Sequence, residues 1–201
     1  GAGERRGAVD ATCVILAGGA SRRMGRDKLG EEVGGVPLLH RVLSSLKGVC
    51  GEVLVAGDGG PCPPGVRRVF DLRPGRPGPL AGMEAGLAAA SFPAVFVAAG
   101  DMPFASPALA AHLVGLVAAG GAEAAVPRHA GRAQPLFAAY DRGVLEEVSG
   151  ALDAGRRSAA GLLERLGRVE YVEGLERFGD PALLLMSVNT PGDLEAARRS
   201  A

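Results

Sequence analysis

The sequence predicts an α/β fold: a three-layer α/β/α sandwich around a Rossmann-like, mostly parallel sheet. Three features carry that prediction. Short apolar runs rich in β-branched residues alternate along the chain with segments of helical periodicity. Two of those runs, 13–16 and 94–99, are uncharged and lead into loops that hold glycine and polar groups, as buried parallel strands do. No internal repeat divides the 201 residues, a length that suits one domain with its own core. That domain is taken as 1–201, with 1–10 as a flexible N-terminal extension.

The first strand, Cys13-Val14-Ile15-Leu16, leads into Leu16-Ala17-Gly18-Gly19-Ala20-Ser21-Arg22-Arg23-Met24-Gly25-Arg26-Asp27-Lys28. Gly18 and Gly19 allow backbone N–H groups to approach an anion closely, and Arg22, Arg23, Arg26 and Lys28 offer positive charge to phosphate oxygens. The loop therefore reads as a nucleotide triphosphate cradle. It lacks the Gly-Lys-Ser/Thr of a Walker loop and the G-x-G-x-x-G spacing of dinucleotide folds. An ordinary glycine turn with solvated arginines is the competing reading.

A helix is predicted over 37–46, with His40 on its surface, then a strand over 52–57 and a short strand over 66–71. Asp71 stands at the carboxyl end of that short strand, where an aspartate can also bond its own backbone. Three prolines keep 73–79 out of a helix, and a helix starts near Leu80. Gly100-Asp101 follows the central strand 94–99 at the end where such sheets place their chemistry, and one Asp101 oxygen can hold Mg²⁺. Ser106, directly before Pro107, caps the helix 108–119.

Strands over 122–126 and 134–140 flank the basic turn 128–132, followed by helices over 143–148 and 155–166 and a strand over 168–172. The apolar run 183–189 is expected to return to the sheet and to end in Asn189, whose amide oxygen can complete a metal shell with Asp101. Thr190-Pro191 opens the last helix, 192–199.

Acidic and basic residues balance at 22 each, which argues against a general polyanion binder, so no nucleic-acid partner is expected. Every apolar segment is interrupted by glycine, proline or charge, and the start carries no secretory signal. A soluble, cytoplasmic protein with no membrane partner is expected. Cys13, Cys50 and Cys62 are too few and too scattered to suggest a disulfide framework or a C-x-x-C site, so Cys13 is expected as a reduced core residue.

The cradle resembles the signature of the molybdenum cofactor guanylyltransferases, LAGG-x-S-x-RMG-x-DK, at every fixed position. The resemblance continues through Gly78-Pro79-Leu80-Ala81-Gly82, Gly100-Asp101-Met102-Pro103-Phe104, Gln134-Pro135-Leu136 and Asn189-Thr190-Pro191, and so covers nearly the whole chain. It implies a fold of the nucleotide-diphospho-sugar transferase type. It also implies transfer of GMP from GTP to the phosphate of molybdopterin or Mo-molybdopterin, with Mg²⁺ as cofactor and pyrophosphate as the leaving group. By the same resemblance, Leu16, Ala17, Gly18, Gly19, Lys28, Asp71, Gly82 and Asp101 bind the nucleotide, and Arg23, Lys28 and Asp101 act in catalysis. Asp101 and Asn189 are the implied metal ligands, Gln134 and Arg156 face the pterin, and molybdoenzymes or cofactor-insertion proteins are the later partners.

Two positions depart from the family pattern: Ala56 stands where a polar residue often touches the purine, and Gly192 where an acidic residue is usual, with Asp193 next to it. Gly18-Gly19, in place of the Ala-Gly of the related cytidylyltransferases, favours GTP over CTP. A CTP-using cytidylyltransferase is the alternative within the family. A nucleotide-binding module without turnover is the alternative from another class, and Arg23, Lys28 and Asp101 all being present speaks against it.

Overall fold

The computed structural model describes residues 9–18, 27–73, 75 and 78–201. In chain order the elements are β1 (Val9–Leu16), β2 (Glu32–Val33), β3 (Val36–Pro37), α1 (Leu38–Leu46), β4 (Cys50–Ala56), β5 (Arg67–Val69), α2 (Pro79–Ala89), β6 (Ala94–Ala99) and α3 (Pro107–Ala118). They continue with β7 (Ala124–His129), β8 (Arg132–Ala133), β9 (Phe137–Asp141), α4 (Leu145–Asp153), α5 (Ala159–Leu163), β10 (Val169–Val172), α6 (Pro181–Leu184) and α7 (Pro191–Ser200).

The main sheet runs β10-β7-β9-β6-β1-β4-β5, with β8 paired to β7. β1 lies parallel to both β4 and β6, and β5 and β10 join their neighbours in parallel, whereas β9 runs antiparallel to β6 and β7. Alternation along the strands sends side chains into two separate cores. Cys13, Ile15, Phe96 and Ala98 pack with α1, α3 and α7 on one face, and Val14, Val95 and Val97 pack with α2, α4 and α5 on the other. Those two cores are the physical content of the three-layer sandwich. On the first face Phe96 meets Phe137 edge-on, with centroids 4.8 Å apart.

Several boundaries differ from expectation for identifiable reasons. Val9 and Asp10, expected in a flexible extension, already belong to β1; residues 1–8 lie outside the described residues. The run 183–189 does not rejoin the sheet. Asp180 caps a single helical turn by accepting from the Ala182 N–H, Pro181 opens it, and Leu183 and Leu184 are spent in α6. The basic turn expected over 128–132 lies largely inside the β7–β8 hairpin, so Gln134 and Pro135 precede β9 rather than belonging to it. Arg156 and Arg157 sit in the loop before Ser158, which caps the short α5, and not within a helix.

The cysteine expectation is also corrected. Parallel pairing of β1 with β4 brings together residues 37 apart in sequence, and Cys13 is joined to Cys50 with Cα atoms 5.8 Å apart; Cys62 is the free thiol. Other local expectations hold. Ser106 Oγ accepts from the Leu109 N–H at 3.1 Å, and Thr190 with Asp193 forms a capping box on α7. Among the described residues no helix is long and apolar enough to cross a membrane.

Candidate nucleotide site

A cavity of about 260 Å³ opens at the carboxyl ends of the central strands. It is lined by Leu16, Ala17 and Gly18 after β1, by Ala56 and Gly59 at the end of β4, by Asp71 after β5, by Ala99, Gly100 and Asp101 after β6, and by Gly78, Pro79 and Gly82 at the start of α2. This is the position that a parallel α/β sheet reserves for ligands. Of the residues expected to bind nucleotide, the cavity gathers Leu16, Ala17, Gly18, Lys28, Asp71, Gly82 and Asp101. Gly19, Arg22, Arg23 and Arg26 lie outside the described residues.

The strand ends are held by backbone hydrogen bonds that continue past the strands themselves. Ala17 N–H donates to Ala56 O at 2.7 Å, Gly59 N–H to Ala17 O at 2.8 Å and Gly100 N–H to Leu16 O at 2.9 Å. Close approach of this kind requires missing side chains. A Cβ on Gly59 would stand 2.4 Å from Ala17 O, and one on Gly82 would meet Leu16 Cδ2 at 3.0 Å. Ala56 puts only a methyl group on this wall, so no side-chain hydrogen bond to a base arises there.

Lys28 and Asp101, 73 residues apart, meet at the cavity: Lys28 Nζ donates to Asp101 Oδ2 at 2.8 Å, with side chains 21% and 14% exposed. The other carboxylate oxygen, Oδ1, is buried and has no hydrogen-bond partner among the described residues. An unpartnered oxygen of this kind suits a hard cation, which takes oxygen ligands singly and keeps its waters. Among the described residues no group of three or more His, Cys, Asp or Glu is placed to hold a metal ion. Asp101 O accepts from the Val188 N–H at 2.9 Å, which brings the following residue, Asn189, to the neighbourhood of Asp101. Asn189 is exposed and does not line the cavity. Hydrogen bonds from the backbone N–H groups of Asn189 and Thr190 hold the Asp193 carboxyl below the ordinary carboxylate value, with Lys28 adding a smaller contribution.

Two arginines outside every sequence expectation hold the cavity walls. Arg68 of β5 donates from Nη1 to Gly57 O at 2.6 Å and Gly59 O at 3.1 Å, and from Nη2 to Gly60 O. The N–H of Gly60 in turn donates to both oxygens of Asp27, at 3.1 and 2.9 Å, directly beside Lys28. Arg73 forms a fork on Glu84, which is 3% exposed within α2. Arg73 holds the Glu84 carboxyl below its usual value, and Glu84 with Asp153 pushes the Arg73 guanidinium up. Glu84 carried a usable signal, a lone carboxylate in an otherwise apolar helix, which demands a buried partner. Arg68 carried none, since it serves backbone carbonyls. Loss of water around Asp71, followed by the charges of Asp58 and Glu84, pushes its carboxyl above the ordinary value.

The residues expected at the pterin lie at the periphery. Gln134 is half-buried two residues before Leu136, which lines the cavity, and Arg156 is exposed. His129 is exposed in the hairpin, and His40 bonds through Nε2 to Pro61 O at 2.9 Å, so neither faces the cavity.

Comparison with known proteins agrees with this arrangement. A relative from Pelotomaculum thermopropionicum called a probable molybdenum cofactor guanylyltransferase is 41% identical over 194 residues, covering 94% of this chain and 93% of that protein. Another of the same description from Chloroflexus aggregans is 37% identical, covering 90% of each. The crystal structure of molybdopterin-guanine dinucleotide biosynthesis protein A from Archaeoglobus fulgidus superposes with a TM-score of 0.79 at 28% identity, covering 94% of this chain and 97% of that one. A 2-C-methyl-D-erythritol 4-phosphate cytidylyltransferase from Thermus thermophilus gives 0.68, also at 28% identity, covering 96% and 98%. Residues 13–169 match the family described as the MobA-like NTP transferase domain, a span that holds the cradle, Asp71 and Asp101, and the chain belongs to that family.

Proposed function

We propose that this chain is a molybdenum cofactor guanylyltransferase that transfers GMP from GTP to the terminal phosphate of molybdopterin or its molybdenum-loaded form and releases pyrophosphate. The observation that carries the reading is the Lys28–Asp101 ion pair in the lining of a cavity at the carboxyl ends of β1 and β6. The names of the relatives support the same substrates.

The chemistry suits these residues. The acceptor phosphate has a second pKa near ~6, so it is already a largely ionised nucleophile at neutral pH and needs no general base. One of its oxygens attacks the α-phosphorus of GTP. A new P–O bond forms there as the bond from the α-phosphorus to the bridging oxygen breaks, and the electron pair leaves on pyrophosphate. The protein positions the two anions and offsets their charge. Backbone N–H groups near Gly18 and the Lys28 ammonium meet the phosphate oxygens, and Arg23 is assigned to the same task. Mg²⁺, held by Asp101 with Asn189 as the second oxygen donor, would supply further positive charge to the phosphates. Asp71 accepts from the N–H groups of the base, while Gln134 and Arg156 are assigned to the pterin side. The cytoplasmic setting, and transfer of the product to cofactor-insertion proteins or molybdoenzymes, belong to the same proposal.

Calorimetric titration with GTP, CTP and ATP in the presence of Mg²⁺ tests the reading. GTP is expected to bind selectively, with affinity reduced about tenfold or more by Lys28→Ala and by Asp101→Ala. Preference for CTP would change the product to the cytosine dinucleotide, and absence of nucleotide binding would overturn the proposal.

A further inference from the structure

We propose that Arg73, locked onto the buried Glu84, is a positioning residue that sets Asp71 against the base end of the cavity and so selects the nucleotide. The proposal rests on the assignment of the cavity to a nucleoside triphosphate.

The guanidinium bridges two helices, α2 and α4. Nε donates to Glu84 Oε1 at 2.9 Å and Oε2 at 3.1 Å, and Nη2 donates to Oε2 at 2.9 Å. Nη1 pairs with Asp153 at the end of α4, and Nη2 also reaches Ser149 O at 3.4 Å. Ser149 Oγ donates to Glu84 Oε2 at 2.7 Å. Arginine's planar fork fixes orientation as well as distance, which a point charge would not do.

Both anchor segments border the cavity. Arg73 is two residues beyond Asp71, which lines the cavity, and Glu84 belongs to α2, whose Pro79 and Gly82 line it too. The lock therefore ties the segment that carries the Asp71 carboxylate to the helix that lines the same cavity. A carboxylate accepts hydrogen bonds and donates none, so it discriminates among bases by the N–H groups each presents at its edge. Guanine offers adjacent N–H donors from its ring nitrogen and its 2-amino group, and hypoxanthine lacks the amino group. Discrimination of that kind depends on placing the acceptor within a fraction of an ångström. Fold stability alone does not call for the charges, because a buried ion pair can often be replaced by apolar groups without loss.

The test uses the full chain with both charges removed together, Arg73→Met with Glu84→Met, so that neither is left buried and unpaired. Thermal melts are expected to stay close to wild type. GTP affinity should fall about tenfold and the preference for GTP over ITP should shrink by a similar factor, while kcat at saturating GTP changes by less than about twofold. A folded double variant that keeps wild-type affinity and preference overturns the lock. Should the double variant fail to fold, Arg73→Lys decides: it keeps the charge paired but loses the fork, and a threefold or larger loss of GTP-over-ITP preference supports the lock, whereas unchanged preference overturns it. A wild-type protein that binds GTP with no such preference refutes the lock and leaves the nucleotide site standing. A wild-type protein that binds no nucleotide refutes both.

Discussion

Gly57 shows how little freedom single residues of the cavity have. Its φ is +113°, and a Cβ there would stand 2.5 Å from the Gly18 N and 2.7 Å from the Ala17 carbonyl carbon, all of it backbone that cannot turn aside. Gly57→Ala is therefore expected to destabilise the fold by about 2–4 kcal/mol in urea melts and to weaken nucleotide binding through a displaced Gly18. A loss below ~1 kcal/mol with unchanged affinity would mean that the two loops give way easily. The residues that line the cavity were legible from sequence because ligands of such sheets sit just beyond the strands: Gly18 and Asp101 each follow an apolar run, and Asp71 follows the short strand β5. Arg68 was not legible, because its partners are carbonyl oxygens, which every residue carries. Asn189 was placed near Asp101 for the wrong reason: the link is a backbone bond from Val188, not a strand.

At the scale of elements, helix α2 meets strand β1 through Gly86. A Cβ at that position would fall 2.3 Å from Val14 Cγ1 and 2.7 Å from Val14 Cγ2. Gly86→Ala should lower the melting temperature, at a cost of about 1–3 kcal/mol from overpacking, despite alanine's better helix propensity. Gly86→Ala combined with Val14→Ala should recover part of that loss, and a stabilised single variant would show that α2 can shift. Helix starts were readable where a capping side chain precedes proline, as in Ser106-Pro107 and Thr190-Pro191. The same pattern at Asp180-Pro181 was hidden by the apolar residues after it, which read equally well as a strand.

For the molecule as a whole, the two cores and the parallel centre of the sheet followed from strand alternation and from strands separated by helices. The direction of β9 did not. The α3 crossover skips one strand position between β6 and β7, and the chain turns back through β8 to fill it, an arrangement that depends on three-dimensional order. Because the cavity is lined by residues that follow β1, β4, β5 and β6, nucleotide bound there should stabilise the fold globally. GTP at about a hundred times its dissociation constant should add ~2.7 kcal/mol, a rise in melting temperature of about 5–10 °C for a chain of this size. Calorimetric scans at two GTP concentrations check this, and a melting temperature independent of GTP would count against a specific nucleotide site.

The bond between Cys13 and Cys50 has a topological consequence. It closes the chain between them into a covalent ring, and that ring contains the entire cation-rich segment together with Lys28 and α1. A single protease cut anywhere inside the ring would leave both fragments tethered to one another. On a denaturing gel such a nicked molecule would run as two pieces only after a thiol reductant had opened the bridge.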